Sequence, residues 1–209
     1  MGIFSYDSPI TKALSTIVDY IILNLCFLVC CIPVFTIGAA LSALSSVFLK
    51  DQDPTNMVSS YFKAFKENFK QSTKAWIVFL LVGILLVIEI YFFFFSGLAF
   101  PAEGIIRIIL CCLVFVYLGA IIFTFPLIAK FDNSIPGTLA NACIFSVILA
   151  PVTLLMILLS FLPVVCLLLC PDIFVYIFAL WIFIGFSVTS RIHCLLINKL
   201  LSRLLPSKT

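Results

Sequence analysis

Apolar residues run almost unbroken from Ala13 to Leu49, from Ala75 to Phe95, from Ile105 to Ala129 and through much of the chain after Asn141. One long polar segment, Asp53 to Lys74, stands among them. Its pattern is helical: Met57, Tyr61, Phe65 and Phe69 recur every four residues, with Val58 and Phe62 beside them. Ser59, Ser60, Lys63, Lys66, Glu67, Lys70 and Gln71 fall largely on the other side. Asp53 followed by Pro54 suits a helix start, because the carboxylate can accept orphan N–H groups and proline fits the first turn. The spacing therefore predicts an amphipathic helix over about 54–72, lying at the membrane boundary or packed on its own bundle.

The first apolar run holds thirty-seven residues, Ala13 to Leu49, interrupted by one charge at Asp19. As one straight helix it would extend about 55 Å, against a hydrocarbon core of about 30 Å. Pro33 lies near its middle, followed by Thr36 and Gly38, so the run is expected to fold back as a short hairpin broken at Pro33–Gly38. A single kinked span is the alternative. Gly38, Ala39, Ala40, Ser42, Ala43, Ser45 and Ser46 favour close helix–helix contact in the second half. Further segments follow over 75–97, 105–129, 141–163 and 173–197. A turn is expected across Ser96–Gly104, an N-cap at Ser134, and kinks at Pro151 and Pro163. The expectation is an all-α, polytopic helical membrane bundle in one domain. It has six membrane segments, the first two over 13–32 and 34–49, plus the cytoplasmic interfacial amphipathic helix; five spans is the alternative.

Composition supports the class. The chain is 64% hydrophobic and 10% charged with a mean hydropathy of +1.32, whereas soluble domains carry roughly 25% charged residues. A net charge of +3 without a basic cluster beyond the membrane-flanking loops argues against nucleic-acid binding. The apolar run is too long for a signal peptide core, so cleavage is not expected. Nine cysteines lie in or at the margins of apolar runs, where the thiol behaves as a small hydrophobe. With no CxxC pair and one histidine, no disulfide framework, metal site or cofactor is expected. Five lysines lie between Lys50 and Lys74, and four basic residues lie in Arg191–Thr209. Both segments, and with them the C-terminus, should be cytoplasmic.

Candidate chemistry is sparse. Glu89 lies well inside its span, and an intramembrane carboxylate is costly enough to be a functional candidate by default. One reading makes it a proton or cation site shared with Asp19 and Asn24. The preferred one keeps it structural, satisfied near the outer interface by Tyr91 or Arg107. Arg191 and His193 are candidates for a lipid headgroup or anionic partner, although anchoring a helix end is the simpler role. Lys63, Phe65, Lys66, Phe69 and Lys70 form the candidate surface for lipid or a partner. Neither a triad, an HExxH motif nor a phosphate-cradling glycine loop occurs, so an enzyme is not expected.

The segment LNLCFLVCCIPVFTIGAALSAL, the stretch SYFKAFKENFKQST leading into Trp76, and FTFPLIAKFDNS together resemble the YesL family of bacterial membrane proteins. That resemblance implies a plasma-membrane protein of uncharacterised activity and, by genomic association, an accessory or scaffold role beside a carbohydrate transporter complex. The alternative is a small-solute or ion-coupled transporter using Glu89 and the broken Pro33–Gly38 segment.

Overall fold

Between Phe69 and Trp76 the chain holds Lys70, Gln71, Ser72, Thr73, Lys74 and Ala75, none of them a proline or glycine. Nothing there interrupts the hydrogen-bond ladder. The amphipathic stretch and the apolar stretch after it accordingly form a single helix, α3, Met57–Phe95. Its 39 residues extend about 58 Å at the helical rise, nearly twice a hydrocarbon core.

The computed structural model describes residues 9–50, 56–95 and 103–204. The expected helix start at Asp53 and Pro54, most of the turn over Ser96–Gly104, the first eight residues and the end of the tail lie outside them. The described regular structure is helical throughout. Helix α1 is Pro9–Cys31, α2 is Ile37–Leu49 after a 3-10 turn at Val34–Thr36, and α4 is Glu103–Lys130. Beyond these come α5 (Ile135–Ile148), α6 (Ala150–Ser160), α7 (Leu162–Leu169) and α8 (Pro171–Leu180). A π turn at Trp181–Gly185 then leads into α9, Phe186–Leu204.

The architecture is an all-α bundle, but the expected six membrane segments are not found. Among the described residues, four helices are long and apolar enough to cross a membrane: Ala13–Cys31, Met57–Phe95, Gly104–Lys130 and Pro171–Ser202. The number reaches 5 only if α5 and α6, bent by 101° at their junction, make one span. Two expected segments fail: the one over 141–163 is broken by that bend, and the one over 34–49 is not a span at all. Helix α2 has 13 residues, ten of which are buried, and it packs chiefly on α3 and α4. Its partners on α3 are polar-half residues: Asn68 Nδ2 donates to Ser46 Oγ at 3.4 Å, and Trp76 Nε1 donates to Val34 O at 2.8 Å. It therefore lies beside the region 68–76, and Ile77–Phe95 runs on past it. Small residues permit this depth of packing, so the run that looked like a second span is an internal helix.

Two breaks in the apolar backbone are bridged by threonine side chains. At the first, Thr36 Oγ1 donates to Pro33 O at 2.6 Å and Cys30 O at 2.5 Å. At the α5–α6 elbow, Pro151 cannot donate, and buried Thr153 Oγ1 sits 3.1 Å from both Ser146 O and Leu149 O. Gly119 of α4 receives this elbow: a Cβ there would lie 2.5 Å from Ser146 Cβ and 2.7 Å from Thr153 Cγ2. Ser134 does occupy the N-cap of α5, though its side chain makes no capping bond.

Polar contacts also bring the basic ends together. Gln71 Nε2 donates to Asn133 O at 2.7 Å, and Lys130 Nζ to Asn198 Oδ1 at 2.5 Å. The first half of α3, the end of α4 and the second half of α9 thus share one end of the bundle. In contrast, Ile77, Leu81, Ile84, Leu85, Ile88 and Phe95 on the outer half of α3 are exposed, an apolar surface that needs lipid as its solvent.

The α2–α3 contact has a sharp test. A Cβ on Gly38 would lie 2.6 Å from both Ser72 O and Trp76 Cβ, atoms fixed to the α3 backbone. Gly38→Ala should destabilise the protein by about 1–3 kcal/mol through overpacking. At Gly104 a Cβ meets nothing within 4 Å; Gly104→Ala should be neutral or stabilising by up to about 1 kcal/mol. Thermal unfolding of both variants in one detergent checks the contrast, and equal midpoints would refute the close approach.

Candidate functional site

Asn24 sits in the middle of α1, and its side chain is completely buried. Its Nδ2 donates to Ile182 O at 2.6 Å, and its Oδ1 accepts from the Ser187 N–H at 2.9 Å. Those two backbone groups are five residues apart, the spacing that a π-helical hydrogen bond would join. One carboxamide is inserted between them at the irregular step from α8 to α9, supplying a donor to the carbonyl and an acceptor to the N–H. The turn also needs Gly185, where a Cβ would lie 2.5 Å from Trp181 Cδ2, so the indole folds back along its own helix. Its ring meets Phe186 edge-on at 6.3 Å, and Phe186 meets Phe27 of α1 at 5.2 Å.

Trp181 and Phe186 form one side of a chamber of about 290 Å³ inside the bundle. Helix α2 contributes Leu41, Leu44 and Ser45; α4 contributes Leu118, Ile121, Ile122, Phe125 and Pro126. Phe27, Ser160 and Phe161 complete the wall with Thr189, Ser190 and His193 of α9. Five elements far apart in sequence thus meet around one space, close to the lower end of the small-molecule pocket range of about 300–1,000 Å³.

His193 is buried, with Nε2 3.2 Å from Met156 O. A carbonyl oxygen only accepts, so Nε2 carries the proton in this contact, and in the neutral ring Nδ1 is left as an acceptor. Arg191 donates to Phe48 O at 3.2 Å, with its guanidinium 5.8 Å over the Phe48 ring. It meets an orphan carbonyl in the last turn of α2, where a cation also favours the helix dipole. Both residues therefore make protein contacts that hold α9 to α2 and α6.

Asp19 is half-buried and Glu89 is exposed on the outer half of α3. No hydrogen bond or ion pair among the described residues joins either to Asn24, whose amide is committed to the π turn. Arg107, one expected partner of Glu89, donates to Phe93 O at 3.1 Å and stands 5.1 Å over the Phe94 ring. Lys63, Lys66 and Lys70 are exposed, while Phe65 and Phe69 are half-buried and stack along the helix with ring centroids 5.6 Å apart. The aromatic stripe faces the bundle and leaves Phe62 exposed beside the lysines. Sequence reasoning singled out Asn24 but missed the chamber. Its only advance signs were hydroxyls at Ser45, Ser160, Thr189 and Ser190 inside apolar runs.

These features define a multi-pass α-helical membrane protein with an internal, largely apolar chamber. Residues 20–90 match the family described as a protein of unknown function, DUF624. That stretch contains Asn24, all of α2 and most of α3. No curated protein and no solved structure matches the chain.

The Asn24 bridge yields a prediction. Asn24→Ala leaves a buried carbonyl and a buried N–H without partners, which should cost about 1–3 kcal/mol. Hydrogen exchange at the Ser187 amide should rise with the loss of stability. Parental protection at Ser187 in a folded Ala variant would show that the amide does not hold the turn.

Proposed function

We propose that the protein is a small-solute transporter of the bacterial plasma membrane, with the chamber between α1, α2, α4 and α9 as its solute site. The observation that carries this reading is α2: a short, buried helix entered through a broken turn, whose Leu41, Leu44 and Ser45 wall the chamber. Discontinuous helices bordering an internal cavity are a recurrent way to build transporter sites. The broken segment supports the reading; Glu89, exposed outside the chamber, contributes nothing to it, so no ion coupling through that residue is included. The reading is of a transport protein and not an enzyme. The shared basic end, with Lys63, Lys66, Lys70, Lys130 and Lys199 exposed, is placed in the cytoplasm together with the C-terminus.

A second reading rests on the exposed lysine row. Lys63, Lys66 and Lys70 beside Phe62 suit anionic headgroups or an acidic partner, as an accessory role beside a carbohydrate transporter complex would require.

Each reading has its own test. A cysteine placed at Leu44, in a background lacking the nine native thiols, should react with a membrane-impermeant maleimide from either side, because a transporter opens its site alternately. Labelling from one side alone would remove the transporter reading. Glu89→Gln should leave that labelling unchanged. For the second reading, replacing Lys63, Lys66 and Lys70 by glutamine should weaken binding to anionic vesicles by about 1 kcal/mol per residue at low salt. Unchanged vesicle binding would retire it.

A further inference from the structure

We propose that the chamber takes a neutral, single-headed amphiphile, a medium-chain alcohol being the simplest member, which enters from the bilayer, and that it excludes sugars. This rests on the reading of the chamber as the solute site, and it names the solute's chemistry. No charged side chain lines the chamber, so a carboxylate, phosphate or ammonium group would enter without a counter-charge. Eleven of its sixteen lining side chains are apolar, which suits a hydrocarbon body.

The polar lining is confined to Ser45, Ser160, Thr189, Ser190 and His193. Two of those hydroxyl protons are already committed: Ser45 Oγ donates to Leu41 O at 2.8 Å, and Ser160 Oγ to Met156 O at 3.0 Å. His193 Nε2 is committed to Met156 O as well. These groups offer the chamber lone pairs: two hydroxyl oxygens and, in the neutral ring, Nδ1. Such a set matches one O–H donor on an otherwise apolar molecule. A sugar, with a hydroxyl on nearly every carbon, would leave most of its polar groups against hydrocarbon.

The route in is lateral. Phe161 lines the chamber and is also 42% exposed on the outer apolar surface. An amphiphile dissolved in the bilayer meets the chamber there without crossing water. The volume of about 290 Å³ is that of a small molecule, too little for a two-chain lipid.

Trp181 provides a built-in reporter, since the chain has only two tryptophans and Trp76 does not line the chamber. Full-length Trp76→Phe protein in nanodiscs is titrated with a terminally brominated undecanol, whose bromine quenches indole fluorescence on contact. Quenching should saturate, be reversed by unlabelled undecanol and be indifferent to glucose. The Trp181→Phe protein, reporting from Trp76, should show only the linear quenching of probe partitioned into lipid. His193→Leu should weaken the saturable phase about tenfold. Ser160→Ala, which removes one of those hydroxyl oxygens, should weaken it several-fold and decides the matter if the histidine variant does not fold. Linear quenching at Trp181, displacement by glucose, or unchanged affinity in the folded variant would overturn the proposal. Two-sided labelling of Leu44→Cys without saturable quenching would remove the amphiphile and leave the transporter. Saturable quenching with one-sided labelling would do the reverse.

Discussion

The close approach of α2 to α3 at Gly38 is the contact on which the rest of the molecule depends. Because no side chain separates the helices there, α2 lies deep enough to touch α4 as well, with Phe125 at the same glycine. That depth turns one face of α2 into a wall of the chamber. It also presents the last turn of α2 to Arg191, and the turn before α2 to the Trp76 indole. Had α2 stood in lipid as a second span, its serines would face hydrocarbon and α9 would lose its anchor.

A second constraint runs through the fold: backbone irregularity in an apolar setting has to be satisfied from within. Three such places among the described residues are each bridged by one short polar side chain. Thr36 serves the first break, Thr153 the elbow of α5 and α6, and Asn24 the π turn before α9. The threonines act within a few residues of themselves. Asn24 reaches across 158 positions of sequence, so it also fixes α1 against the last helix. All three stitched breaks flank elements that line the chamber.

How much of this could be read from the chain depends on the range of the forces involved. Helical class, lipid-facing composition and the break at Pro33 are local properties and were legible. The number of spans was not, for two separate reasons. The 101° bend between α5 and α6 breaks the run over 141–163, and its angle depends on how the elbow packs against Gly119 of α4, not on the composition of the run. Apolar character over 34–49 suits lipid, but the same small residues serve equally to bury a helix inside protein. Asn24 stood out as a polar residue within a span, yet its partners are backbone atoms that no residue pattern marks. The chamber was invisible because each of its walls, taken singly, reads as ordinary core.

The unbroken α3 has a mechanical consequence. A rod of about 58 Å with no joint transmits a tilt from one end to the other. Its outer half stands in apolar surroundings, while its inner half carries the lysine row and clamps α2. A bilayer that thickens or thins changes the preferred inclination of such a helix. Any tilt of the apolar half therefore carries the basic end and the α2 clamp with it.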